Sequence, residues 1–258
     1  MSVTSVISSV LQPAIGVFGV AAKHLGSGET IFINEHEIFQ SASVIKVPIL
    51  VELFCRRDED GISLDEKIEL TQECKVDGSG VLKELQPGTK FSLFDLATLM
   101  IIQSDNTATN MIIDLLGPEP VTQRMRSLGL ERTTLGRKMY DFEQAAKGKD
   151  NFCTPYEIMH LLEMLEKGEI SSKSTSREML EIMAKQQYRD KIPLLLPEDT
   201  KIANKTGSIS DASHDAAVVY GPGGPYVLSI MAKGISSMVT ADRAIADASQ
   251  IVYEHYCG

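Results

Sequence analysis

The chain has 258 residues, 43% of them hydrophobic and 23% charged, with 25 basic against 35 acidic side chains and a net charge of −10. At roughly 150 residues per domain this is one large domain or two intimate ones, long enough to bury about 70 to 75% of the unfolded surface without disulfide or metal staples. The acidic balance argues against nucleic acid or an anionic membrane as partner, because neutralising phosphates demands an excess of Lys and Arg.

The longest apolar stretch near the start, Ala14 to Ala22, is far short of the ~20 residues that a membrane span needs. Nothing basic precedes Lys23 to mark a secretory leader, so the expectation is a cytoplasmic protein with no membrane partner. Within that stretch Ile15 to Ala22 is rich in Val, Ile and Phe; Gly26-Ser27-Gly28 follows, and Thr30 to Ile33 then alternates apolar and polar. This pattern reads as a β-hairpin. Ser41 is a candidate helix N-cap, which would put Ser43 and Lys46 three apart on one helical face, with Pro48 predicting a kink a turn later. Ser92 to Asp95 and Thr154 to Glu157 are capping boxes, the second with Pro155 at the first helical position, and Gly117 and Gly168 are suited to end helices. Near the end, Ala216 to Tyr220 and Tyr226 to Ala232 flank Gly221-Pro222-Gly223-Gly224-Pro225 as a second hairpin, and Val239 to Tyr256 is an amphipathic helix.

Strands at both ends and helices between them imply that the two ends meet in one antiparallel sheet. The fold class is α+β: a single domain over 1–258, with an α/β lobe from about 1–42 and 190–258 and a helical lobe from about 43–189. A cleft between such lobes is a favoured ligand site. Four widely spaced cysteines without a C-x-x-C pair read as reduced thiols, and five histidines show no ligand spacing, so neither metal nor cofactor is expected.

Three short motifs carry chemistry. Ser43-Val44-Ile45-Lys46 places an amine within reach of a hydroxyl; serine is a poor nucleophile until a base takes its proton, and lysine serves when its surroundings favour the neutral amine. On its own this spacing is weak, and a capped helix start accounts for it equally. Ser104-Asp105-Asn106, between the apolar segments Leu93 to Ile102 and Ala108 to Leu116, and Lys205-Thr206-Gly207 are each rare by chance in this composition. Finding all three in this order makes coincidence improbable. His214-Asp215 reads as structural, ahead of a strand beginning at Ala216.

Together the motifs resemble the class A β-lactamases and penicillin-binding serine hydrolases along nearly the whole chain. Pro48 after the first motif, Thr107-Ala108-Thr109-Asn110 after the second, and Asp215 to Val219 after the third are in the same style. The resemblance implies that Ser43 attacks a lactam carbonyl with Lys46 as base, and that Ser104 relays a proton to the leaving nitrogen. Asn106 would contact the substrate's side-chain amide and Lys46. Lys205 and Thr206 would hold its carboxylate, on a substrate-binding strand that continues through Gly207 and Ser208. The oxyanion would sit on backbone N–H groups of Ser43 and of the stretch Ser208 to Ser210, with Asp105 structural. The partner is then a small β-lactam or peptide-like molecule.

One position departs from the pattern. Arg137 and Asp150 are suited to close the loop that carries the family's deacylating glutamate, but two residues after the arginine stands Met139. A thioether accepts no proton, which leaves Glu143 as the candidate to activate water in its place and Asp141 as a weaker one. Three outcomes follow from the sequence: a turning-over lactamase, a penicillin-binding or regulatory protein that keeps its acyl group, or an intracellular D-amino-acid peptidase or esterase.

Overall fold

The computed structural model describes residues 1–258. The first half runs α1 (Val3–Leu11), β1 (Val17–His24), β2 (Thr30–Ile33), β3 (Phe39–Gln40), a 3-10 turn (Ala42–Ile45), α2 (Lys46–Asp60), β4 (Lys67–Glu69), β5 (Lys90–Ser92), α3 (Leu93–Ile102), α4 (Asn106–Leu116) and α5 (Pro118–Ser127). The second half adds α6 (Phe142–Ala146), β6 (Phe152–Cys153), α7 (Pro155–Lys167), α8 (Lys173–Met183), β7 (Lys201–Ile209), β8 (Ala212–Gly221), β9 (Gly224–Lys233) and α9 (Met238–Cys257). Five strands form one sheet in the order β2-β1-β9-β8-β7, every neighbour antiparallel. Both ends of the chain therefore build the sheet, as the two hairpin signals imply. No helix is long and apolar enough to cross a membrane.

The period-2 geometry of a strand sends alternate side chains to opposite faces. Val20, Ala22, Ala217 and Val219 face a core shared with Ile7 and Leu11 of α1 and Ile245 and Val252 of α9. Ala21, Ala216 and Val218 face a larger core, with Ile49 and Leu53 of α2, Ile112 of α4 and Leu161 of α7. The sheet is buried on both faces, which is why its strands read as continuous apolar runs.

Three local readings change. Helix α1 has no counterpart in the sequence reading; its N-cap Ser2 accepts from Ser5 N at 3.2 Å, and only Ile7 and Leu11 of its nine residues are buried. Pro48 bends nothing, because the α-helix begins at Lys46 and places the proline in the first turn, where a backbone N–H has no intrahelical partner. Strand β8 begins at Ala212, so His214 and Asp215 lie within it, fully buried. The predicted caps at Ser92 and Thr154 form, and Gly168 ends α7 in the left-handed region.

Candidate active site

The Ser43-to-Lys46 segment folds as a 3-10 turn leading into α2. In a 3-10 turn residues three apart eclipse, so Ser43 and Lys46 share a face. Ser41 stands at the N-cap position without a side-chain capping bond. Edge strand β7 lies against this turn. A Cβ on Gly207 would come within 3.0 Å of Ser43 N and 3.1 Å of Val44 N, so only glycine allows the strand to approach the nucleophile's backbone this closely.

All three motifs converge on one hydroxyl. Lys46 Nζ donates to Ser104 O at 2.7 Å, to Ser104 Oγ at 3.1 Å and to Asn106 Oδ1 at 2.8 Å. Lys205 Nζ donates to the same Ser104 Oγ at 3.0 Å and to Thr206 O at 2.8 Å. Both amines are fully buried. Burial holds Lys46 well below the ordinary lysine range and the neighbouring Lys205 lowers it further, while Asp105 opposes. Lys205 is pushed down to about 7, again chiefly by burial, with Asp215 opposing and Lys191 adding to the shift. Three acceptors match the three protons of an ammonium; once neutral, Lys46 keeps two of these bonds and can take a proton on its lone pair, and Ser104 Oγ between the two nitrogens is placed to pass one on.

Asp105 is structural, as expected. Its Oδ2 accepts from Val81 N at 2.6 Å and Leu82 N at 2.8 Å, and its Oδ1 caps α4 through Ala108 N at 2.9 Å. Ser104 itself has φ of 50°, and Ala42, just before the nucleophile, has φ of 45°. Left-handed backbone at a residue with a side chain is strained, and such strain gathers at functional sites.

A cavity of about 420 Å³ opens over this cluster. Ser43, Asn106, Ser208 and Ser210 line it, while Lys46, Ser104, Lys205 and Thr206 lie buried beneath. Its other wall is the loop from Arg137 to Asp150, closed by the expected ion pair, Arg137 Nε to Asp150 Oδ1 at 2.8 Å. Met139 lines the cavity. Glu143 does not: it stands on α6, 78% exposed, paired with Lys147 at 2.6 Å. The sequence candidate for activating water is thus not brought to Ser43, because the first turn of α6 points it into solvent. Asp141 is occupied as the N-cap of that helix, accepting from Gln144 N at 3.0 Å.

The sequence assigns no role to two further groups. Asn110, on α4, clamps the Met139 peptide from both sides, accepting from Met139 N at 2.8 Å and donating to Met139 O at 3.0 Å. Asn110→Ala is expected to cost about 1–3 kcal/mol, since it strands both backbone groups; urea unfolding checks this, and an unchanged midpoint would show that the loop is held elsewhere. Buried Lys191 donates to Ser208 Oγ at 2.8 Å and Gly207 O at 3.1 Å, fixing the strand that faces Ser43. His214, pushed down to about 4 by burial, holds Gln40 O at 2.8 Å and is structural.

Residues 2–256 match the sequence profile of the beta-lactamase enzyme family. The chain belongs to that family. It is a serine β-lactamase-type hydrolase, and its fold is that of the class A enzymes. A β-lactamase of Streptomyces albus G is 29% identical over 95% of this chain and 82% of its own. The crystal structure of a β-lactamase from Sphaerobacter thermophilus superposes with a TM-score of 0.92 at 28% identity, covering 98% of this chain and 96% of that one. PBP-A is 30% identical with a TM-score of 0.90 over 98% of this chain and 95% of its own. A leucine-to-glutamate mutant of PBP-A, solved as an acyl-enzyme complex with penicillin G, is similar to the same degree.

Proposed function

We propose that this family member is acylated by β-lactams at Ser43 and releases the acyl group slowly, so that it behaves chiefly as a penicillin-binding protein. In the acylation step Ser43 Oγ bonds to the lactam carbonyl carbon and gives its proton to neutral Lys46. The ring C–N bond breaks, and Ser104 passes a proton to the departing nitrogen. Asn106 takes the substrate's side-chain amide, Lys205 and Thr206 its carboxylate, and backbone N–H groups of Ser43 and of the stretch Ser208 to Ser210 the oxyanion.

The observation that carries slow release is the inventory of bases around the cavity. Its one lining carboxylate is Asp150. Asp150 is bound to Arg137 and accepts from Gln40 Nε2 at 2.9 Å. Where the family places a glutamate stands the thioether of Met139, and Glu143 faces solvent. Hydrolysis of the ester needs an activated water, and nothing on that wall is free to activate one.

The test is intact mass over time with penicillin G beside hydrolysis of a chromogenic cephalosporin. A stoichiometric adduct with little product supports the proposal. Rapid product without adduct establishes an ordinary lactamase instead, and cleavage of simple esters or D-amino-acid peptides without β-lactam acylation establishes a peptidase or esterase.

The buried lysines add a pH dependence. Binding of the substrate carboxylate needs Lys205 charged, so acylation by penicillin G is expected to fall as pH rises through about 7, where the ammonium is lost. Lys205→Arg keeps its charge far above that range and is expected to move the alkaline limb upward. An acylation rate profile checks this; a limb that stays near 7 in Lys205→Arg would assign it to another group.

A further inference from the structure

The chain has no Trp, seven Tyr and eight Phe. Only three of these aromatic residues are exposed, Tyr140, Phe142 and Tyr188. Two of the three, Tyr140 at 44% and Phe142 at 67% exposure, line the Ser43 cavity. Their rings meet edge to face with centroids 5.4 Å apart. Single exposed apolar residues are ordinary, but two exposed aromatic rings in contact on the wall of a cavity mark a place where a ligand covers them.

The backbone is built to put them there. Tyr140 has φ of 62°, left-handed for a residue with a large side chain. Its ring crosses the mouth of the cavity to the opposite loop, where a Cβ on Gly78 would lie 2.5 Å from Tyr140 Cε2 and 2.7 Å from its Oη. The same point is 2.6 Å from Asn106 Nδ2. The Tyr140 ring therefore sits immediately beside the amide that, in the acylation reading, receives the substrate's side-chain amide. Phe142 extends the wall outward, and Met139 continues it inward.

We infer that Tyr140 and Phe142 form an apolar subsite that selects substrates carrying an aromatic group just beyond their side-chain amide, as in the phenylacetyl group of penicillin G. The geometry orders the contacts: nucleophile at Ser43, amide at Asn106, then the rings of Tyr140 and Phe142. Aromatic groups pack in this offset or edge-to-face manner with about 0.5–1.5 kcal/mol beyond area burial. A bare amino group at the same place lacks that contact and meets only apolar rings.

This inference rests on the acylation reading, and the test separates the two. Second-order acylation rates are measured by intact mass for penicillin G and for 6-aminopenicillanic acid, which has the same nucleus without the aromatic acyl group. The expected ratio favours penicillin G by about tenfold, the upper end of what aromatic contacts supply. Phe142→Ser, at a position 67% exposed, is expected to lower that ratio by about fivefold, and Phe142→Tyr to retain it. Tyr140→Asn, which suits the left-handed backbone and removes the ring, is expected to lower the ratio as well. A ratio unchanged within about twofold in both Phe142→Ser and Tyr140→Asn, with Ser43 still acylated, would overturn the subsite alone. Absence of acylation of the wild-type protein by either compound would overturn the acylation reading, and the subsite with it.

Discussion

Met139→Glu is expected to speed loss of the acyl group by at least about a hundredfold, the lower end of what a positioned general base contributes. The position is prepared for the exchange. Its backbone N–H and C=O are both held by Asn110, at 2.8 and 3.0 Å, so the side chain can change without moving the loop. That side chain lines the cavity that also holds Ser43. A carboxylate there supplies the proton acceptor that a thioether cannot, next to the carbonyl of the ester. Acylation itself is expected to change little, because Lys46 and Ser104 are buried, hydrogen-bonded to each other and do not line the cavity beside Met139. Decay of the adduct after free penicillin G is removed reads the effect directly. Glu143→Gln, at an exposed residue paired with Lys147, is the control and leaves the decay unchanged. An adduct equally durable in Met139→Glu would mean that the absent base does not limit release.

Lys46→Met is expected to slow acylation by about 10²- to 10⁴-fold, and Ser43→Ala to abolish the adduct. Methionine fills a similar volume at this fully buried position but cannot take the Ser43 proton or donate to Ser104 and Asn106. The exchange also leaves Ser104 O and Asn106 Oδ1 without their Lys46 donor, which is expected to cost some stability. Stopped-flow acylation with circular dichroism on the same samples separates the two causes. Lys46→Met acylating within about tenfold of wild type would give the base to another group.

Much of this architecture is legible in the residues. Continuous apolar runs around Gly26 to Gly28 and Gly221 to Pro225 mark the hairpins because the sheet is covered on both faces, and the capping boxes at Ser92 and Thr154 fix where two helices begin. The three motifs are legible because their chemistry needs particular side chains at short spacing. What escapes the sequence depends on long-range placement. Helix α1 is a different case: Val3, Val6, Ile7, Val10 and Leu11 recur at helical spacing behind Ser2, a signal the sequence carries and the reading of it passes over. Lys191 gains its role from Ser208 and Gly207, 17 and 16 residues away in the chain. Gly207 is required for a close approach to Ser43, which no turn signal announces. Glu143 is close to Met139 in sequence, but the short helix from Phe142 turns it outward, and spacing alone does not say which way so brief an element faces.

The central claim is that Ser43 is readily acylated and slowly freed. Its most direct measurement is intact mass of the wild-type protein after a short exposure to penicillin G and removal of the excess. The account predicts one adduct per chain, located on Ser43, decaying at least about a hundredfold more slowly than it forms at saturating penicillin G. Catalytic turnover of penicillin G with no accumulated adduct would contradict it.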